Sequence, residues 1–161
     1  MKMIKVLFVC LANICRSPAA EEMVRRLIKD RGSPLEVKAE SCGIGDWHLG
    51  SLPEENMRKA AHDRGLILTS RARQFKAEFL NEYDYVLTTD HEVLHYLHKY
   101  ANTPELKSKI HLLTSFSTSY YNQEIPDPYL KGREDYDTAL DIIEDSCRGL
   151  VKHLEEIEGV V

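Results

Sequence analysis

Cys10, Arg16 and Ser17 carry the most chemistry in this chain, and they fall within one stretch, Val9-Cys10-Leu11-Ala12-Asn13-Ile14-Cys15-Arg16-Ser17-Pro18. A thiol is a nucleophile once ionised, and nearby donors and positive charge stabilise the thiolate. A guanidinium a few residues further on offers two parallel donors to a phosphate. Backbone N–H groups between the two can line an anion where a loop runs into a helix N-terminus. This set suits phosphoryl transfer through cysteine. Arg16 would grip two oxygens and hold phosphorus in line with the sulfur, while the loop donors stabilise the charge that develops on the equatorial oxygens. Ser17 adds a hydroxyl that can donate to the sulfur or, alternatively, cap the next helix.

The elements needed to position these groups are legible. An apolar run over residues 4–9 predicts a buried strand, and a helical pattern over residues 17–29, with Pro18 at its first position, ends at Gly32-Ser33-Pro34. A buried cysteine and a surface arginine sharing a turn is the plainer alternative, but strand, loop, Ser17 and proline start all agree with an anion site. A second strand is expected over residues 35–41, followed by a turn at Gly43-Ile44-Gly45, which lacks the third glycine of a dinucleotide fingerprint. A helix follows over residues 53–64, with Ser51 or Leu52 before it and Gly65 as its stop. Residues 73–80 suggest a short helix, 83–88 a third strand, 90–100 a helix and 110–113 a fourth strand. A long loop over residues 114–132 carries Ile125-Pro126-Asp127-Pro128-Tyr129. The last helix, residues 135–156, sets Ala139, Leu140, Ile143, Cys147, Leu150, Val151 and Leu154 on one face.

Strands alternating with helices imply a single α/β domain over residues 1–161, with a four-stranded parallel sheet flanked by helices on both faces, Rossmann-like or flavodoxin-like. Ligands in such sheets bind beyond the strands' C-terminal ends. The loops after strands one and four share that edge, so Cys10 and Asp127 can meet there.

The Cys-x5-Arg-Ser loop and the late Asp127-Pro128 closely resemble the low-molecular-weight protein tyrosine phosphatases. The resemblance implies Cys10 as nucleophile, Asp127 as general acid and base, and a phosphate site at Leu11, Ala12, Asn13, Ile14, Cys15 and Ser17. Trp47 is then an aromatic wall rather than core, Tyr129 lines the mouth beside Leu130, and Ser41 is a partner for Asn13. Tyrosine-phosphorylated proteins are the implied substrates, with no cofactor. Two departures stand out. Ala12 replaces the usual glycine, which would cost on the order of 1–2 kcal/mol if that position required positive φ. Ser70 stands where many relatives have a histidine. Ile14 is the residue type of the tyrosine-directed branch, whereas threonine there would suggest phosphoarginine. The related arsenate reductases need resolving cysteines near the third strand, and residues 80–90 contain none. A non-catalytic phosphopeptide-binding module would have no need of Cys10, Arg16 and Asp127 together. Cys15 can act as a redox partner of Cys10, as in the family, or pack under the loop as a small hydrophobe.

His91-Glu92-Val93-Leu94-His95 matches the H-E-x-x-H zinc-protease pattern in a helical segment. The extended form also needs Gly and His at positions where this chain has His98 and Ala101, so no metal site is expected. The net charge of -5 speaks against nucleic acid as a partner. The four cysteines lack metal-ligand or small-scaffold spacing, and no stretch reads as secretory or transmembrane. The expectation is a cytoplasmic, monomeric protein with no membrane insertion.

Overall fold

A computed structural model describes residues 2–160. Strand β1, Ile4–Cys10, lies inside the sheet and is covered on both faces: Ile4, Val6 and Phe8 point into one core, Leu7 and Val9 into the other. That two-residue period in an almost wholly apolar strand is what a central parallel strand requires. Strands β2 (Val37–Gly43), β3 (Tyr85–Thr88) and β4 (Ile110–Leu112) join it in the order β2-β1-β3-β4, all parallel. The expected four-stranded sheet is therefore present. Cys10 pairs with Gly43 and Val9 with Thr88, so the C-terminal ends align and their loops open on one edge.

Helices α1 (Arg16–Asp30) and α6 (Arg133–Glu158) cover one face, and the seven α6 residues expected on one side are all buried. The other face is covered by α3 (Phe79–Glu82), α4 (His91–His98) and the Phe75 segment, through Phe79, Leu80, Val93 and Leu97. Helix α2 (Glu55–His62) packs with the α6 side through Met57, Ala60 and Ala61.

Several boundaries differ from the sequence expectation, each for a local reason. Helix α1 starts at Arg16, ahead of Pro18, with Cys15 at its N-cap and no side-chain cap bond. Ser17 therefore sits inside the first turn and is not the cap. Strand β2 lies two residues later than expected, because its last residue, Gly43, is held by a bridge to Gln74. That extended pairing also keeps most of residues 73–80 from coiling. Helix α2 is capped by neither Ser51 nor Leu52; the Glu54 carboxylate accepts from the Asn56 N–H at 2.5 Å. An unexpected short helix, α5 (Pro104–Lys107), is capped by Thr103, and β4 runs into a 3₁₀ turn at Leu113–Phe116. Among the described residues, no helix is long and apolar enough to cross a membrane.

Candidate active site

The loop after β1 folds back around its own first residue. The Asn13 N–H donates to Cys10 Sγ at 3.3 Å, and the turn this needs puts Asn13 at φ 59°. Asparagine tolerates that region better than most residues. Ala12 is not at positive φ, so the penalty considered for it does not arise. The loop's carbonyls are turned away from its interior: Cys10 O accepts from Ile44 N–H at 3.1 Å, Leu11 O from Gly45 N–H at 2.9 Å and Ile14 O from Glu54 N–H at 2.8 Å. No acceptor among the described residues takes up the N–H groups of Leu11, Ala12, Ile14, Cys15 or Arg16. The loop is thus a run of donors with its acceptors occupied elsewhere, the arrangement that binds an anion.

A buried network fixes the sulfur. The Arg73 N–H donates to Asn13 Oδ1 at 3.0 Å, which sets the orientation of the Asn13 amide. Its Nδ2 then donates to Ser17 Oγ at 2.8 Å and to Ser41 Oγ at 2.9 Å. With Ser17 Oγ accepting from Asn13, its own proton is free for Cys10 Sγ at 2.9 Å, the Cys42 carbonyl being further away at 3.4 Å. The Ser41 hydroxyl donates to Glu21 Oε1 at 2.7 Å; burial pushes the Glu21 carboxyl above its ordinary value, against the pull of Ser41 and Arg25.

Arg16 is 3% exposed. Its Nη1 donates to Asp90 Oδ2 at 2.9 Å and to the Ile125 carbonyl at 2.7 Å, so both hydrogens on that nitrogen are used. Nε and Nη2 remain for a ligand. Burial opposes the charge on Arg16, but the Cys10 sulfur, Asp90 and Asp127 outweigh it and hold the guanidinium firmly protonated. Asp127 Oδ2 lies 3.9 Å from Arg16 Nη2, and its Oδ1 accepts from the Tyr129 N–H at 3.2 Å. Asp127 is part-exposed at the mouth, with room to meet a leaving group.

Cys10, Leu11, Ala12, Ile14, Cys15, Arg16, Trp47, His48, Asp127 and Tyr129 line one cavity of about 220 Å³. All the expected lining residues converge there except Asn13 and Ser17, which are buried behind the loop and act on it and on the sulfur. Trp47 is 64% exposed, a wall of the cavity rather than core. Cys15 Sγ faces Glu54 Oε1 at 3.8 Å, and burial, then Glu54, pushes its thiol far up.

Asp90, Glu54, Gly43 and His48 belong to the site and were not singled out from sequence. Asp90 follows the third strand on the very edge where ligands bind, and that position was the available signal. Glu54 ties Cys15 to the Tyr136 hydroxyl of α6. The His48 and Tyr129 rings meet edge-on at 6.3 Å, joining two loops across the mouth. A side chain at Gly43 would put Cβ 2.8 Å from Ala12 C and Asn13 N, so only glycine lets the loop lie this close to β2.

The histidine motif leads elsewhere. His91 and His95 are exposed with rings 6.4 Å apart, and the Glu124 carboxylate is engaged with the His91 N–H at 2.9 Å. Among the described residues, no three His, Cys, Asp or Glu side chains are grouped to hold a metal ion.

A family model described as low molecular weight phosphotyrosine protein phosphatase matches residues 5–158. A low molecular weight protein-tyrosine-phosphatase of Streptomyces coelicolor is 34% identical over 158 residues, 96% of each chain. Among solved structures, a protein tyrosine phosphatase from Entamoeba histolytica with Hepes in its active site superimposes with a TM-score of 0.90 at 33% identity, covering 96% of this chain and 99% of its own. A Drosophila arginine phosphatase superimposes at 0.86 with 30% identity, covering 94% of this chain and 98% of its own.

Proposed function

Because the chain belongs to the low molecular weight phosphotyrosine protein phosphatase family, we propose that it hydrolyses phosphotyrosine in proteins, and small aryl phosphates, through a phosphocysteine on Cys10. One observation carries the reading. A single cavity holds a sulfur under two donors, unpaired amides, an arginine with two open donors and a carboxylate at the mouth. The Cys10 thiolate attacks phosphorus as the bond to the tyrosine oxygen breaks, and Asp127 gives that oxygen its proton. The Asp127 carboxylate then takes a proton from water attacking phosphorus. The sulfur–phosphorus bond breaks, and the Ser17 hydroxyl supports the returning thiolate. Needing one group ionised and the other protonated, the rate passes through a maximum with pH.

Ile14, buried at the cavity wall, favours phosphotyrosine over phosphoarginine, the reading a threonine there would have favoured. We read residues 1–161 as one domain of a cytoplasmic monomer in which Cys15 protects Cys10 from irreversible oxidation. The test compares wild type, Cys10→Ser and Asp127→Asn on phosphotyrosine, phosphoarginine and aryl phosphates of graded leaving group, in excess chelator. Cys10→Ser should lose turnover by several orders of magnitude yet still bind phosphate. Asp127→Asn should lose most on poor leaving groups. Substantial hydrolysis by Cys10→Ser, equal Asp127→Asn losses on every leaving group, or a preference for phosphoarginine would overturn the reading.

A further inference from the structure

Half of the large apolar side chains exposed among the described residues come from two short segments: Trp47, Leu49 and Leu52 from one, Tyr129 and Leu130 from the other. Single exposed apolar residues need no explanation, whereas a group around one opening does. Trp47 and Tyr129 line the cavity, and the His48–Tyr129 contact ties the segments together. Leu49 and Leu130 each lie one residue beyond a lining residue, outside the cavity, at 56% and 79% exposure.

Leu130 is also strained. The Lys131 N–H donates to the Pro128 carbonyl at 2.9 Å, closing a turn in which Leu130 takes φ 64°. Glycine or asparagine is the unstrained choice at such a position, and a bulky side chain there is an outlier. Burial does not offset the strain, since the side chain is nearly all in solvent. Strain that holds an exposed apolar group beside a pocket points to something that binds there.

We propose that Leu49 and Leu130 seat a large apolar side chain adjacent to the substrate's phosphotyrosine, so that the enzyme selects tyrosine sites with apolar neighbours. This rests on the phosphotyrosine reading above. With the ring in the cavity and the phosphate on the loop, the substrate main chain must leave across the mouth. An extended chain advances ~3.3 Å per residue with alternate side chains on opposite sides, so the immediate neighbours lie over this rim. An acidic neighbour finds less to bind. The nearby cleft of Lys59, Lys131 and Arg133 has Lys59 paired with Glu55 at 3.2 Å and Arg133 with Asp63 at 2.7 Å, which leaves Lys131 as its one cation without an ion-pair partner among the described residues.

The experiment measures kcat and KM for phosphotyrosine peptides identical except for leucine, serine or glutamate beside the phosphotyrosine, with p-nitrophenyl phosphate alongside. Wild type should favour the leucine peptide by roughly tenfold in kcat/KM, carried by KM, the size expected for partly burying one leucine. In Leu130→Asn, and further in Leu49→Ser/Leu130→Asn, that ratio should fall toward one, while Leu130→Asn melts no lower than wild type. Equal kcat/KM for the three peptides in wild type, an unchanged ratio in the variants, or a lower melting temperature for Leu130→Asn would each overturn the proposal. Cleavage of p-nitrophenyl phosphate with no cleavage of any phosphotyrosine peptide would instead remove the phosphotyrosine reading, and this inference with it.

Discussion

Asp90 does two things with one carboxylate. Oδ1 accepts from Val93 N–H at 2.9 Å and starts α4, while Oδ2 holds Arg16 at 2.9 Å. These roles separate by substitution. Asp90→Asn keeps an N-cap acceptor but loses the charge facing Arg16, so kcat should fall roughly tenfold to a hundredfold through misplacement of the guanidinium, with a modest stability loss. Asp90→Ala removes the cap as well, which should add about 1 kcal/mol to the loss seen in Asp90→Asn by chemical denaturation. Equal stability of the two variants would remove the capping role. Cys15 supports a second expectation. In the proposed protection of Cys10, peroxide oxidises its thiolate to sulfenic acid and the Cys15 thiol condenses with that, releasing water and forming a disulfide that a dithiol reduces. Burial and Glu54 keep Cys15 protonated, which slows this capture relative to a free thiol. After peroxide and then dithiol, wild type should regain activity and Cys15→Ser should not; identical recovery would leave Cys15 as packing alone.

At the scale of elements, the anion loop is shaped by β2 as much as by β1. Gly43→Ala would push Cβ into the Ala12 and Asn13 backbone, so phosphate should bind at least about tenfold more weakly as an inhibitor, with helix content unchanged by circular dichroism. Unaltered phosphate affinity would mean that the loop shifts at no cost. The same glycine illustrates what sequence could and could not tell. Cys10 and Arg16 were legible because their types and spacing carry chemistry, and the apolar periods put the loops of Cys10 and Asp127 on one sheet edge; the roles of Asp127, Trp47 and Tyr129 came from the family resemblance. Gly43 read as an ordinary turn, since nothing local reveals that another loop lies against it. Asp90 and Glu54 read as helix-start residues, which they are, but their second contacts are with residues distant in sequence. The start of α1 was missed for a related reason: Ser17 is a good cap by type, and only its bond to the sulfur explains why it does not serve as one. The segment 73–80 has helical character that pairing with Gly43 overrides.

For the whole molecule, α1 and α6 are joined at their far ends by Arg31 and Glu155, with Arg31 Nη2 2.5 Å from Glu155 Oε1. The Arg31 bond, then Ser33, holds the Glu155 carboxyl below its ordinary range. A depressed carboxylate contributes stability above its unfolded value, about 4.3, and that contribution disappears as pH falls through the folded value. Glu155→Gln should therefore cost about 1 kcal/mol at neutral pH, Arg31 being half in solvent, and the gap to wild type should close in acid. A gap independent of pH would assign the loss to packing. The tie between early and late chain recurs at the site itself, where Arg16 is completed by the Ile125 carbonyl 109 residues further on. During synthesis at roughly 5–20 residues per second, the ribosome needs some 5–20 s to cover that distance. Throughout this interval the nascent chain already carries Cys10 and Arg16 but has neither the Ile125 acceptor nor Asp127, the proton donor of the proposed mechanism. On the proposed mechanism, a chain that stops short of Asp127 lacks both of these groups and should show no turnover, however well its earlier elements form.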